Sequence, residues 1–328
     1  MTLSELQALL AKWIRDDVDD ALRMRETKSR IDFLGDRLFN QYRAGTGAAP
    51  TPFRHKLAAW LASENDDENR KLMFRLLNHM SFFGEQELTS MYRTVYSRNV
   101  MDWILSTSDI DLLHPDAPRM ISEEIAETCF VAVTDSFNLG DFIRVNAIAG
   151  VSRRITFSSI NPAPTAENFK ADYLQGRSRL VLLEDFVGSA SQVMDTVQFA
   201  AQLGAPQPKV LFSPLVICPA GDRSATSLAA QYSHLSYEPV LALPSRDFIT
   251  PLLDPRSPAV FEEFRQLART VHPKVRGSGW PHDYGPLGYR DTGALVVKYD
   301  NCPDNTLPLI HHDSSTPWSA LFLRVSRE

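Results

Sequence analysis

Six short runs of almost unbroken apolar residues restrict the fold of this chain more than any other feature. They are Cys129-Phe-Val-Ala-Val-Thr134, Arg179-Leu-Val-Leu-Leu183, Lys209-Val-Leu-Phe212, Leu215-Val-Ile-Cys218, Val240-Leu-Ala-Leu243 and Ala294-Leu-Val-Val-Lys-Tyr299. A strand with one wet face alternates apolar and polar residues, whereas a strand covered on both faces is apolar throughout. Helical spacing appears from Val193 to Leu203 and again from Phe261 to Val271. Strand, helix, strand order predicts an α/β domain with a mostly parallel sheet flanked by helices. Pro214 separates the third and fourth runs and predicts a break in that strand.

The first third reads differently. Leu6, Leu9, Leu10, Trp13, Ile14 and Val18 recur at three- and four-residue steps, the apolar stripe of one helix. Thr2 and Glu5 have the spacing of its capping box. Further stripes run through Ile31–Tyr42, Phe53–Leu61, Leu72–Met80 and Leu88–Trp103, with a break at Gly45–Pro50. The aromatic residues Trp13, Trp60 and Trp103 fall among aliphatic neighbours and read as packing. These patterns predict an all-α N-terminal domain over residues 1–115 and an α/β domain over 116–328.

Composition narrows the class. Of the 328 residues, 44% are hydrophobic and 23% charged, enough to bury a core without covalent staples. Three scattered cysteines form no CxxC pair, which argues against a disulfide framework and fits a reducing cytoplasm. The net charge of −6 gives no global reason for nucleic-acid binding, although a local basic patch stays open. Met1-Thr2-Leu3-Ser4 starts no apolar leader, and no run of 18 apolar residues occurs, so neither a signal peptide nor a membrane span is expected. A homo-oligomer is compatible with all of this.

Chemistry concentrates where the second apolar run ends. Glu184 and Asp185 follow it, then Phe186, Val187, Gly188, Ser189, Ala190, Ser191 and Gln192 lead into a helix. Small residues let backbone N–H groups approach an anion, and a helix N-terminus favours negative charge. Paired carboxylates suit ribose hydroxyls, or a hydrated Mg²⁺, better than a phosphate. Simple helix capping explains the same residue types. The segment lacks the glycines of a nucleophile elbow and the Gly-Lys-Ser/Thr ending of a Walker loop. Asp135 and Ser136 end the first run, followed by the basic Arg144, Arg153 and Arg154. Asn301 and Asn305 read as turn formers or as amides that contact a base. His282 and Asp283 lie in a Gly-rich loop. His311 and His312, as neighbours, suit a shared metal poorly.

An apolar strand, two acidic residues, two spacers and a small-residue hydroxyl loop together resemble the phosphoribosyl-diphosphate (PRPP) motif of type I phosphoribosyltransferases. The tail Gly285-Pro-Leu-Gly-Tyr-Arg-Asp-Thr-Gly-Ala-Leu-Val-Val with Asn301-Cys-Pro-Asp-Asn-Thr-Leu-Pro308 strengthens the likeness. So does Leu76-Leu-Asn-His-Met-Ser-Phe-Phe-Gly-Glu85. Together they are similar to the phosphoribosyltransferase-like proteins of bacterial conflict and anti-phage gene clusters, including retron-associated ones. The resemblance implies that Glu184 and Asp185 contact the ribose hydroxyls, that Gly188–Ser191 and Gln192 cradle the 5′-phosphate, and that Asp135 and Ser136 lie beside the diphosphate. It also implies PRPP or a nucleotide as ligand, Mg²⁺ as cofactor, and a toxic effector role acting at the anomeric carbon. A catalytically inactive ligand sensor, or a subunit docking with a reverse transcriptase, is the alternative. Glu184 stands where Asp is usual, and Ala190 where Gly is common.

Overall fold

The computed structural model describes residues 1–16, 21–45, 51–149, 155–160, 163–276, 284–314 and 318–325, with Gln192 described by its backbone alone. Arg153, Arg154, His282 and Asp283 lie outside the described residues. No helix among the described residues is long and apolar enough to cross a membrane. The chain divides into two compact units, Met1–Glu85 with Pro244–Glu328, and Gln86–Leu243. This grouping differs from the boundary expected near residue 115, because C-terminal residues complete the core of the N-terminal helices.

In the first unit the helices Leu3–Asp16, Ala21–Arg37, Phe53–Ala62 and Asp67–Leu76 follow the predicted stripes. Thr2 and Glu5 close the capping box, with backbone N–H to side-chain oxygen distances of 2.7 and 3.2 Å. The region is helical but not wholly so. Ser81–Phe83 is a short strand, and it pairs in parallel with Val296–Lys298 from the tail. Trp60 and Trp318, both fully buried, donate their indole N–H groups to the same carbonyl, Leu309, at 2.6 and 3.0 Å. Phe322 stacks on Phe53 and sets its ring edge against Phe39 and Tyr42. The helix Val260–Arg276 adds Phe261, Phe264, Leu267 and Val271 to this core.

The second unit is built on a parallel sheet of six strands: β1 (Thr128–Ala132), β2 (Ile155–Thr156), β3 (Arg179–Val187), β4 (Lys209–Ile217), β5 (Leu235–Tyr237) and β6 (Leu241–Ala242). The order is β2-β1-β3-β4-β5, and β6 also pairs with β4. The helix Ser191–Ala201 connects β3 to β4, and Pro219–Gln231 connects β4 to β5. The central strands are buried on both faces, which accounts for their apolar sequences.

The break expected at Pro214 does not occur, since β4 runs straight through it. Hydrogen bonding explains why. Within a strand the N–H and C=O of one residue face the same neighbour. The Pro214 carbonyl accepts from Val240 N–H at 2.9 Å, so its missing donor faces the gap between β5 and β6. There the Glu238 carbonyl takes substitutes, the Ser213 hydroxyl at 2.7 Å and the Asn99 amide at 2.8 Å. Asn99 also donates to Ser213 Oγ at 2.9 Å and is buried. It comes from a widened helical turn, Val95–Val100, inside what the sequence reads as one helix. Replacing Asn99 by Leu removes one buried and one part-buried hydrogen bond and should lower unfolding stability by about 1–3 kcal/mol. Urea unfolding of wild type and variant measures this, and equal midpoints would contradict the account.

Candidate functional site

Strand order reverses direction at β1. The chain steps outward to β2 and then returns to place β3 on the other side. In open parallel sheets, ligands bind beyond the carboxyl ends of the two strands at such a switch point. Thr134-Asp135-Ser136 follow the end of β1, and Glu184-Asp185 lie in the C-terminal part of β3, so the topology brings together two segments 50 residues apart. The carboxylates do not end their strand as expected. β3 continues to Val187, because the unbroken β4 supplies Val216 and Ile217 as partners.

Glu184 and Asp185 are 1% and 3% exposed. Glu184 accepts from Thr134 N–H at 2.9 Å, from the Thr134 hydroxyl at 2.8 Å and from the Ser136 hydroxyl at 2.6 Å. The extra methylene of Glu over Asp gives the reach that these three bonds use. Ser136 Oγ also lies 2.7 Å from Asp185 Oδ1 and 2.7 Å from Thr134 Oγ1. Neighbours on a strand project to opposite faces, yet both carboxyls meet at this one hydroxyl. Two hydroxyl hydrogens serve four short oxygen–oxygen contacts. A proton retained on the carboxyl pair supplies a third. The electrostatics agree: burial, and then the charge of Asp185, raise the Glu184 pKa from 4.5 to about 8, against the opposing pull of the Ser136 and Thr134 donors.

The loop after β3 turns at Ala190, which takes the left-handed conformation with φ of 73° at the N-cap of the helix Ser191–Ala201. No side chain caps this helix. Its first N–H groups have no intrahelical acceptors, which is the usual basis of an anion site. A left-handed Ala costs about 1 kcal/mol relative to Gly. Burying its methyl returns about 0.8 kcal/mol, and Ala190 is 6% exposed. The two effects nearly cancel, so Ala keeps the loop geometry that Gly would give.

The remaining candidates divide. Val187 and Gly188 are buried, Phe186, Ser189 and Ser191 half-buried, and Asp135 exposed. Arg144 pairs with Asp141 on the surface. Asn301 and Asn305 belong to the first unit, not to the unit of the loop. Asn301 ties the tail through Val325, donating to its carbonyl and accepting from its N–H, while the buried Asn305 donates to Thr292 Oγ1 at 2.9 Å. Their amides are thus engaged in turn and tail contacts. His311 is buried with Nε2 at the Thr306 carbonyl, and burial lowers its pKa to about 3. No group of three or more His, Cys, Asp or Glu side chains that could hold a metal forms among the described residues. Thr134 is the site residue that sequence reasoning missed, and its one signal was a hydroxyl residue adjoining Asp135-Ser136.

A family model described as PRTase-CE matches residues 57–324. The chain belongs to this phosphoribosyltransferase-like family. No curated protein matches it.

The raised pKa of Glu184 has a consequence for stability. Its proton is held more tightly in the folded state, so its stabilising contribution is complete below about pH 4.5 and is lost as pH rises through about 8. Glu184→Gln cannot ionise. Melting curves across that window should fall more steeply with pH for wild type than for the variant, and parallel curves would contradict the assignment.

Proposed function

We propose, taking membership of the PRTase-CE family as the premise, that this chain binds a 5-phosphoribosyl group, from PRPP or a nucleotide, together with Mg²⁺, and acts at the anomeric carbon of the ribose. One observation supports this most. The carboxyl pair already accepts a hydroxyl, Ser136 Oγ, at 2.6 and 2.7 Å, which is the contact that a ribose hydroxyl would make. In this reading Glu184 and Asp185 hold the ribose and the Gly188–Ser191 loop takes the 5′-phosphate. The bond from the anomeric carbon to the leaving group breaks, its electron pair departs with that group, and a lone pair from an acceptor forms the new bond.

The residues fit Mg²⁺ in a limited way. It favours carboxylate and phosphate oxygens and keeps several waters. Glu184 and Asp185 offer that chemistry, but Thr134 and Ser136 use part of their capacity as acceptors. The ion would then be carried mainly by the ligand, with the pair as its protein contact, and would neutralise charge on the leaving diphosphate. The likeness of loop and tail to conflict-system proteins supports a cytoplasmic effector role in a bacterial anti-phage system, with a partner such as a reverse transcriptase.

A second reading, a phosphoribosyl sensor without turnover, is favoured by the closure of the pair, since protein donors already fill the Glu184 carboxyl. Titration calorimetry with Mg–PRPP should give heat for wild type and none for Asp185→Asn, provided the variant melts normally. Absence of heat at millimolar ligand would sink both readings. Diphosphate release by wild type but not by Asp185→Asn supports turnover, and binding without release supports the sensor.

A further inference from the structure

Beside the loop, an open hollow of about 540 Å³ lies between the helices Ser191–Ala201 and Pro219–Gln231. Ser189, Ala190 and Ser191 form one end of its wall, and Arg223 and Ser227 stand on the second helix. The space lies within the range of pockets that take a whole small molecule, far more than a terminal phosphate fills. Arg223 is exposed, and no carboxylate pairs with it among the described residues. The other charged side chain of the wall, Asp195, is an acceptor, suited to hydroxyl or amine donors.

We infer that this hollow is a second subsite, which takes the group joined to the 5′-phosphate of a ribose held at the loop, with Arg223 as its anion contact. The inference rests on the proposed phosphoribosyl site and goes beyond it in substrate class. In PRPP the 5′-phosphate is a terminal monoester with nothing beyond it. A ligand that fills both places carries a substituent on that phosphate, as a pyrophosphate-linked nucleotide does. The loop serves both parts because Ser189–Ser191 line the hollow and also begin the helix whose N-terminus receives the phosphate. An arginine guanidinium suits the second phosphate, since it offers paired donors in a fixed plane. The serine-rich wall supplies hydroxyls for the remaining polar groups.

Calorimetry with three probes in the presence of Mg²⁺ separates this inference from the reading beneath it. Ribose 5-phosphate and ADP-ribose share the phosphoribosyl end and differ in the substituent, and PRPP reports on the first site. ADP-ribose should bind wild type about tenfold more tightly than ribose 5-phosphate, the gain expected of one charge-assisted contact pair. Arg223→Gln should remove most of that advantage. Ser227→Trp, an exposed position on the opposite wall, should block it sterically while the fold is kept. If PRPP binds but ADP-ribose shows no advantage, or keeps its advantage in both variants, the subsite is refuted and the first site stands. If PRPP and the other two probes all fail to bind, the phosphoribosyl reading falls and the subsite falls with it.

Discussion

The hydroxyl of Ser136 is where two strands, two carboxyls and the topology of the parallel sheet meet. A hydrogen bond to a charged group contributes about 1.5–3 kcal/mol, and a buried carboxylate stripped of donors costs at least as much. Glu184 and Asp185 can therefore occupy the middle of a covered sheet only because β1 ends in hydroxyl residues at the right height. The register between β1 and β3 sets that height, pairing Ala132 with Leu183 just before the polar residues begin. The proposed role of the pair rests on the same arrangement. It holds two carboxyls in one place, withdraws them from bulk water and leaves them adapted to accept a hydroxyl.

The first unit shows a different economy. Its helices are amphipathic, but the residues that cover their apolar stripes come from the far end of the chain. Leu307, Leu309, Ile310, Trp318, Leu321 and Phe322 are all essentially inaccessible. The Gly-rich segment and the Asn-Pro segment of the tail form one structure. Gly293 has φ of 66° and lies so close to the Ile249 carbonyl that a Cβ there would come within 2.1 Å of it. Ala294 N–H donates to the Asn305 carbonyl, and Asn305 in turn donates to Thr292. The Gly-rich and Asn-Pro segments of this tail thus hold one another in place.

Much of the sheet was legible because burial on both faces leaves an unmistakable run of apolar residues, as in Leu180–Leu183. The sequence placed Asp135-Ser136 and Glu184-Asp185 at the ends of two apolar runs, but not the hydrogen bonds that join Ser136 to both carboxyls. The continuity of β4 was not, because a proline looks like a break unless the substitute donors are known, and Asn99 lies more than a hundred residues from Pro214. Thr134 was missed for a related reason. A hydroxyl residue at a strand end is common, and only the register with β3 gives it a role. The partition of the chain was hidden as well, since no local pattern in Trp318 or Phe322 says which helices they will cover.

The central claim is that the ends of β1 and β3 hold a ribose phosphate. A crystal structure of the protein with Mg–PRPP tests it most directly. The account predicts ribose hydroxyls against Glu184 and Asp185, with the 5′-phosphate at the backbone of Gly188–Ser191. Ligand bound elsewhere, with the Thr134 and Ser136 contacts to the carboxyl pair undisturbed, would contradict it.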